Sequence, residues 1–315
     1  MKRRIPIFLA SDDNYIPYLA VTVKSIELHA SDENTYDVKV LTSGLSKSSQ
    51  DKLLPLQTDN LNIEIVNIEE KIKEHRGRIN RTLRDYYSES IFYRIFIASL
   101  YPELDRAIYI DCDTVLVDDI AKLYDEELGD NILAGVIDES IPDVPEFVDY
   151  VTNWVGVSAE HYINSGVLVI NLKEFRLVEI ERKITASISR HDLETVAPDQ
   201  DYLNHLCHGK IKYLPSSWNK QPKGGEVPLS ELHLIHYNMF NKPWRYREVQ
   251  YGDEFWRVAR LTPFYDDIYR ELQNYTDDKR ARDGVCARLL VENAARLASL
   301  PSGFQDKLNA GKHKV

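Results

Sequence analysis

The sequence predicts an α/β protein built around a largely parallel sheet. Three observations support this prediction: apolar runs of strand length, segments with helical spacing of apolar residues, and the alternation of the two from the N-terminus onward. Strand-like runs lie at 5–10, 36–41, 61–66 and 106–110, and helical patterns at 46–56 and 90–101 fall between them. Because parallel neighbours need a crossover connection, this order favours right-handed βαβ units.

The second half of the chain changes character near residue 251. Further strand candidates lie at 132–136, 167–171 and 231–236, whereas 264–275 and 285–300 have helical periodicity. We therefore expect an α/β domain over residues 1–250 and a helical extension over 251–315. Residues 279–315 contain eight Lys/Arg against three Asp/Glu. The alternatives for this tail are a helix pair that covers the core, a homodimer contact, or attachment to an anionic membrane surface. The interspersed acidic residues favour the first two.

The composition is that of an ordinary soluble globular protein, with 315 residues, 43% hydrophobic and 28% charged. A net charge of −11 disfavours nucleic acid as a partner. The three cysteines are far apart and form no CxxC pair, which disfavours a disulfide framework and a zinc site and favours a reducing cytosol. The sequence contains no apolar run of about 18 residues. We expect a cytoplasmic protein, with peripheral contact at the inner membrane face as the alternative.

Two acidic residues follow the fourth strand candidate. Asp111 and Asp113 are separated by one residue, so in an extended segment their carboxylates point the same way, and a divalent cation would relieve their repulsion. One alternative is a turn with solvated ends. Another is a phosphatase of the haloacid-dehalogenase type with Asp111 as nucleophile, because that class also uses Asp-x-Asp-x-Thr/Val after a strand. The chain has no clear later acidic motif of the kind that such phosphatases need.

Two loops offer contacts for a ligand that carries a nucleobase and hydroxyl groups. After the first strand, Asp12 and Asn14 can hydrogen-bond a nucleobase edge while Tyr15 stacks on its ring, although these are also good turn and helix-capping residues. Before the 167–171 strand, Asn164 can bind hydroxyl groups, and Gly166 permits a close backbone approach to a ligand. The alternative there is a turn at the strand entry.

Two later segments complete the candidate site. Pro198 to Asp201 opens a predicted helix, where a carboxylate can bind a sugar hydroxyl and Gln200 can lie beside the reacting carbon; helix capping is the alternative. His236 ends a strand candidate and supplies an imidazole that, with two carboxylates, suits Mn²⁺. A buried structural histidine is the alternative. Lys242 can act as a point charge on phosphate.

Taken in order, these segments resemble glycosyltransferase family 8, the retaining nucleotide-sugar transferases. The resemblance runs from about residue 5 to 244 and includes Ala10–Tyr15, Tyr93-Arg94, Tyr109–Asp113, Asn164–Val167, Asp199–Asp201, His236-Tyr237 and Lys242–Trp244. It implies a GT-A fold, meaning a Rossmann-like mixed sheet flanked by helices. It also implies Mn²⁺ or Mg²⁺, UDP-glucose or UDP-galactose as donor, and a glycan or other hydroxyl acceptor. A catalytically inactive nucleotide-sugar-binding protein is a further alternative.

The resemblance also implies a role for each matching residue. The implied donor contacts are Ala10, Asp12, Asn14 and Tyr15 for the uridine, Arg94 near the sugar, Cys112 between the two acidic residues, Asn164, Ser165, Asp199 and Gln200 for the hexose, and Lys242 for the diphosphate. The implied metal ligands are Asp111, Asp113 and His236. The candidate catalytic residues are Asp199, Gln200 and Asp201, and Asp138 is the candidate acceptor contact. Met239 departs from the family, because some members place glycine there.

Overall fold

The computed structural model describes residues 2–76, 88–190, 194–304 and 306. Its strands are β1 Arg3–Ala10, β2 Asn34–Thr42, β3 Leu61–Asn67, β4 Arg106–Ile110, β5 Thr114–Leu116, β6 Leu133–Ile137, β7 Ile163–Asn171, β8 Ile211–Tyr213 and β9 Leu234–His236. Seven of them form one sheet in the order β3-β2-β1-β4-β7-β6-β8, and β5 and β9 form a separate pair. β7 runs antiparallel to β4 and β6, and the other pairings of the large sheet are parallel.

The helices flank this sheet. They are α1 Ile16–His29, α2 Lys47–Leu53, α3 Glu69–Lys73, α4 Ile97–Leu100, α5 Ala121–Tyr124, α6 Pro145–Asp149, α7 Leu172–Leu177, α8 Ile180–Arg190, α9 Pro198–Cys207, α10 Gly252–Ala259, α11 Tyr265–Gln273 and α12 Asp277–Ala298. Short 3₁₀ segments lie at Leu54–Leu56, Glu89–Phe96, Ala159–His161, Ser216–Trp218 and Leu229–Glu231, and a π-helical turn spans Tyr150–Val155. The predicted α/β class and mixed sheet are confirmed.

Three local predictions need correction. The predicted helix at 90–101 is mostly a 3₁₀ helix, and five consecutive residues from Phe92 to Phe96 are buried, which leaves no exposed face of the kind an amphipathic α-helix has. The predicted strand at 231–236 is a strand only from Leu234, and it pairs with β5 rather than with the large sheet. Asn164 to Gly166 lie inside β7, so the strand-entry turn is wrong.

The sheet separates two hydrophobic cores. Alternate residues of β1 face opposite sides, with Ile7 and Leu9 in one core and Phe8 in the other. Helices α10 and α11 pack on the first core, and α12 adds Leu290 and Leu297 to the second. These contacts agree with a tail that covers the core. The division at residue 250 stays a prediction, and residues 305 and 307–315 of the basic tail lie outside the described residues.

The strand order places a crevice at the carboxyl ends of the two central strands β1 and β4. β1 and β4 are parallel neighbours, and the chain leaves them toward opposite sides, which is the point where open α/β sheets bind ligands. The turn after β4 is tied to α1: Thr22 Oγ1 lies 2.9 Å from the Cys112 carbonyl oxygen and 2.8 Å from that of Thr114. Ser25 Oγ accepts the Leu116 amide at 2.9 Å. Helix α1 therefore fixes the loop that carries the two acidic residues.

We expect Thr22→Val to lower the free energy of unfolding by about 1–3 kcal/mol, because two buried carbonyl groups lose their hydroxyl donor while the side-chain volume is kept. Chemical denaturation would measure this change. Thr185→Val is the matched control, since its hydroxyl bonds only to carbonyls of its own helix. Equal stability losses in the two variants would contradict the role given to Thr22.

Candidate active site

Two carboxylates and one imidazole meet at the carboxyl end of β4. Asp111 and Asp113 lie in the turn between β4 and β5, and β9 pairs with β5 so that Thr114 stands opposite His236. His236 Nε2 lies 3.1 Å from Asp113 Oδ1 and 3.8 Å from Asp111 Oδ2. One ligand atom from each residue falls within 4.8 Å of the others. The carboxylates face the imidazole, so they are not the solvated ends of a turn.

The donor atoms of this trio fit a divalent cation. Asp113 Oδ1 is buried and receives no hydrogen bond. The imidazole's other nitrogen, His236 Nδ1, lies 2.8 Å from Asn219 Oδ1, which places a proton on Nδ1. In the neutral form of that imidazole the lone pair is on Nε2. Two carboxylate oxygens and one neutral nitrogen suit Mn²⁺ better than zinc, which favours thiolates, or calcium, which favours oxygen alone.

Gly166 keeps the space beside this trio open. A Cβ atom at residue 166 would lie 2.3 Å from His236 Cε1 and 2.6 Å from Asp111 Oδ2, both far inside van der Waals contact. The β7 backbone therefore approaches the two candidate ligands as closely as a glycine allows. The sequence indicated a close approach at this glycine, but not that the approach is to the candidate metal ligands.

Cations hold the outer oxygens of both carboxylates. Lys242 Nζ donates to Asp113 Oδ2 and, at 2.5 Å, to the Tyr237 carbonyl. Arg94 Nη2 and the Tyr109 hydroxyl each donate to Asp111 Oδ1 at 2.9 Å. Burial alone would raise the pKa of Asp113, but Lys242 foremost holds that pKa well below its usual range. Asp113 is therefore a carboxylate at neutral pH.

Arg94 connects the metal turn to β7 and α9. It donates to the Ser165 carbonyl and hydroxyl, and its Nε lies 3.2 Å from Asp199 Oδ2. Burial opposes its charge, yet Asp111 and Asp199 keep the pKa of Arg94 above its usual value. The arginine stacks over Tyr109 with its guanidinium carbon 4.2 Å from the ring centroid. Its predicted contact to the donor sugar stays a prediction.

The three candidate catalytic residues at the start of α9 differ in their surroundings. Asp199 Oδ2 accepts the Ser165 hydroxyl at 2.9 Å, and burial raises the pKa of this carboxyl against the opposing effect of Arg94. Gln200 accepts the Ser165 amide through Oε1 at 2.9 Å and donates through Nε2 to Asp138 at 3.0 Å. The side chains of α9 therefore fasten this helix to β7.

Asp201 is fully buried one position further along. The hydroxyls of Tyr150 and Tyr162 each donate to it at 2.6 Å, and the Ala197 amide donates at 3.1 Å. Burial raises its pKa to about 7 despite these hydrogen bonds. Both of its oxygens are thus bound within the protein, and its predicted catalytic role remains untested.

Asp138 is the most heavily hydrogen-bonded carboxylate of the site. It is 3% exposed, and its oxygens accept from the amide side chains of Asn164, Gln200 and Gln221 and from the backbone and hydroxyl of Ser140. Burial would raise its pKa, but these hydrogen bonds, with Ser140 foremost, hold the pKa below its usual value. Asp138 is ionised, and its contact with an acceptor stays a prediction.

Some polar side-chain atoms of the loop after β1 form hydrogen bonds within the loop. Asp12 Oδ1 accepts the amides of Asn14 and Tyr15 at 2.9 and 3.2 Å, so the turn alternative is present in the structure, whereas α1 begins without a side-chain cap. Asn14 is exposed. The Cys112 thiol donates to the Ala10 carbonyl at 3.0 Å, and burial raises the pKa of this cysteine, which keeps it a thiol. The uridine contacts predicted for this loop stay predictions.

Met239 adopts the backbone conformation that glycine favours. Its φ is +55°, in the left-handed region, and its side chain is 42% exposed. Met239 therefore takes a backbone conformation in which a glycine would be unstrained. It adds a side chain between His236 and Lys242.

Sequence reasoning missed the buried polar residues that support the candidate ligands. Asn219 and Gln221 contact the site but lie outside every motif in the sequence, and Tyr109 lies in the Tyr109–Asp113 motif without an implied role. Asn219 and Gln221 lie in an irregular stretch after β8, where no hydrophobic period marks which side chains point inward. In the sequence, Tyr109 is indistinguishable from an aromatic residue that packs in the core of a strand.

We expect Gly166→Ala to abolish stabilisation of the protein by Mn²⁺, because the added methyl group fills the space between His236 and Asp111. The shift in melting temperature on adding Mn²⁺ would measure this loss. Gly225→Ala is the matched control, since nothing lies within 4 Å of a Cβ there. An unchanged Mn²⁺ shift in Gly166→Ala would contradict the placement of the cation.

The titration of Asp201 predicts a pH-dependent stability. Its carboxyl stays protonated in the folded state up to about pH 7, whereas its ordinary pKa is 3.8. Its contribution to stability is therefore complete below the lower value and is lost as the pH rises toward 7. We expect the wild type to lose stability relative to Asp201→Asn between pH 5 and 7.5, measured by denaturation, with the exposed Asp130→Asn as control. A constant difference across that range would refute this.

Comparisons with known proteins agree with the fold and the site. The glycosyl transferase family 8 model matches residues 6–248. General stress protein A of Bacillus subtilis is 26% identical over 81% of this chain and 93% of its own length. The lipopolysaccharide 1,2-glucosyltransferase of Escherichia coli is 26% identical over 62% of this chain and 61% of its own.

Solved structures show the same architecture. An active-site mutant of LgtC superposes with a TM-score of 0.67 at 25% identity, covering 82% of this chain and 96% of LgtC. The bifunctional glycosyltransferase WbbM gives a TM-score of 0.74 at 22% identity, and this chain covers 52% of it. Among the described residues, none of the helices combines the length and apolarity needed to cross a bilayer. From the family match over most of its length, the chain belongs to glycosyl transferase family 8 and is a glycosyltransferase.

Proposed function

We propose that this chain transfers a glucose or galactose residue from a UDP-sugar to a hydroxyl of a glycan, with retention of configuration. One observation carries the proposal: Asp111, Asp113 and His236 each direct one possible ligand atom at the same point, with Lys242 beside them. This is the arrangement that would receive a cation together with the phosphates of a nucleotide sugar.

The relatives support the choice of donor and acceptor class. One is a lipopolysaccharide 1,2-glucosyltransferase, and LgtC is a galactosyltransferase solved with donor and acceptor sugar analogs. We assign the acceptor to the same broad class of cell-surface glycans. The loops at 75–90 and 138–160 are expected to select it, and residues 77–87 of the first loop lie outside the described residues.

Each residue of the site has a proposed part in transfer. Asp111, Asp113 and His236 would hold Mn²⁺, which when bound offsets the negative charge that develops on the departing UDP. Lys242, now bound to Asp113, would add a second positive charge at the diphosphate. Asn164, Ser165 and Asp199 would orient the hexose.

The surroundings of α9 favour attack of the acceptor on the same face that UDP leaves. A double displacement needs a free nucleophile beneath the sugar. Asp201 is fully buried against two tyrosine hydroxyls, and Gln200 is a feeble nucleophile whose carbonyl already accepts a hydrogen bond. We therefore assign Asp201 to positioning α9, and we assign removal of the acceptor's proton to an oxygen of the departing phosphate.

The two alternative functions receive less support. A phosphatase would need Asp111 as nucleophile, but Arg94 and Tyr109 already bind Asp111 Oδ1. An inactive binding protein would not need three possible ligand atoms directed at one point. Neither alternative agrees with membership of a transferase family as well as the proposed function does.

We expect the protein to release UDP from UDP-glucose or UDP-galactose in the presence of Mn²⁺. A panel of UDP-sugars, scored for free UDP and followed by acceptor screening with the best donor, would test this. Asp113→Asn should lower the turnover by about 10²-fold or more, because it removes a charged ligand from the site of developing charge. Asp125→Asn is the control, since this exposed residue pairs with Arg3 on the distant surface.

Two outcomes would overturn the proposal. One is Mn²⁺-dependent turnover that Asp113→Asn leaves unchanged. The other is hydrolysis of p-nitrophenyl phosphate in place of UDP-sugars, which would favour the phosphatase.

A further inference from the structure

The candidate metal ligand His236 ends a chain of buried polar side chains. Its Nδ1 faces Asn219 Oδ1 at 2.8 Å, Asn219 Nδ2 donates to Asn164 Oδ1 at 3.0 Å, and Asn164 Nδ2 donates to Asp138 Oδ2 at 3.2 Å. The exposed fractions of the four side chains run from 1% for Asn219 to 7% for Asn164. The chain is thus shielded from water along its whole length.

Asn164, next to the Asp138 end of this chain, has two contacts of fixed polarity. The Gly166 backbone amide, which can only donate, donates to Asn164 Oδ1 at 2.9 Å. The ionised Asp138, which can only accept, receives Asn164 Nδ2. These two contacts leave Asn164 with one orientation of its amide, oxygen toward Gly166 and nitrogen toward Asp138.

That orientation propagates to the imidazole. Because Asn164 presents an oxygen to Asn219, Asn219 must present its NH₂ group in return. Its own oxygen then faces His236 Nδ1 and requires a proton there. A neutral imidazole protonated on Nδ1 carries its lone pair on Nε2, the nitrogen that faces Asp111 and Asp113.

The main chain delivers Asn219 to this position. The segment after the 3₁₀ turn Ser216–Trp218 runs beside β9, where Lys220 forms a parallel bridge with Ile235. The Lys220 amide donates to the Leu234 carbonyl, and the His236 amide donates to the Lys220 carbonyl. Asn219 therefore stands beside His236 through backbone pairing, independent of any ion.

We propose that Asn219 is a positioning residue which, through Asn164 and Asp138, holds His236 in the tautomer that can bind a metal. This inference rests on the metal site of the proposed function. It gives Asp138 a second task besides the predicted acceptor contact. Hydrogen-bonded partners of metal-binding histidines commonly change metal affinity by 10–100-fold.

Two substitutions of Asn219 separate tautomer control from simple packing. Asn219→Leu keeps the size but removes the oxygen that His236 Nδ1 needs. Asn219→Asp keeps an oxygen for Nδ1 but loses the NH₂ group that Asn164 accepts from, so it also weakens the packing. Asn34→Leu is the matched control, because Asn34 is a buried asparagine on β2 whose side chain bonds Arg3 and Tyr36.

The first measurement is Mn²⁺ affinity, followed by the electron paramagnetic resonance signal of free Mn²⁺ without any sugar. We expect Asn219→Leu to raise the dissociation constant by about 10–100-fold, with Asn219→Asp and Asn34→Leu staying close to wild type. A merely structural role would make Asn219→Leu and Asn219→Asp equally poor, and that result would overturn the proposal. So would wild-type affinity in Asn219→Leu.

The second measurement is the tautomer itself in the metal-free protein. Imidazole ¹⁵N chemical shifts, with His236→Gln identifying the resonance among nine histidines, should show His236 protonated on Nδ1 in the wild type and in Asn219→Asp, and a mixture in Asn219→Leu. A neutral imidazole that is protonated on Nε2 alone in the wild type would overturn the proposal. If the tautomer is as expected but wild-type protein binds no Mn²⁺, the metal assignment of the proposed function fails and the tautomer control stands.

Discussion

The site depends on a difference between the two oxygens of each of two neighbouring carboxylates: one oxygen binds a cationic side chain and the other faces the candidate metal position. Arg94 and Lys242 bind the outer oxygens of Asp111 and Asp113, while the inner oxygens face the lone pair of His236. Lys242 holds the pKa of the Asp113 carboxyl well below its usual range. The inner atoms are left with unfavourable mutual repulsion, which a bound cation would convert into attraction. The hydrogen bonds of Arg94 and Lys242 hold the carboxylates in this orientation.

The fold fixes the positions of the two carboxylates and the imidazole. Helix α1 fixes the turn after β4 through Thr22 and Ser25, and the short β5–β9 pair sets the distance between the carboxylates and the imidazole. Gly166 lets the β7 backbone lie directly beside His236 and Asp111. Because each of these parts belongs to a buried element, the geometry exists before any ligand arrives. This agrees with catalysis by a preorganised electrostatic environment.

Much of this could be predicted from the sequence, because strand-length apolar runs and the Asp111/Asp113 spacing are local signals. The same signals could not predict the polar network. Asn219 and Gln221 lie in irregular chain, so only the tertiary fold reveals that they point inward. The strand β5 has three residues and directly follows the Asp113 turn, so it is too short to show the alternation of apolar and polar residues that predicts a strand. The i, i+2 argument placed both carboxylates in one site, although the backbone there is a turn and not an extended strand.

The β5–β9 pairing joins residues that leave the ribosome far apart in time. Thr114 pairs with His236, so 122 positions separate the two halves of the ligand set. At a synthesis rate of roughly 5–20 residues per second, the acidic turn emerges about 6 to 24 seconds before its imidazole partner. A nascent chain during that interval carries two crowded carboxylates without the histidine or the lysine that follows it. The candidate metal site therefore becomes complete late in biosynthesis, after the seven strands of the large sheet have been made.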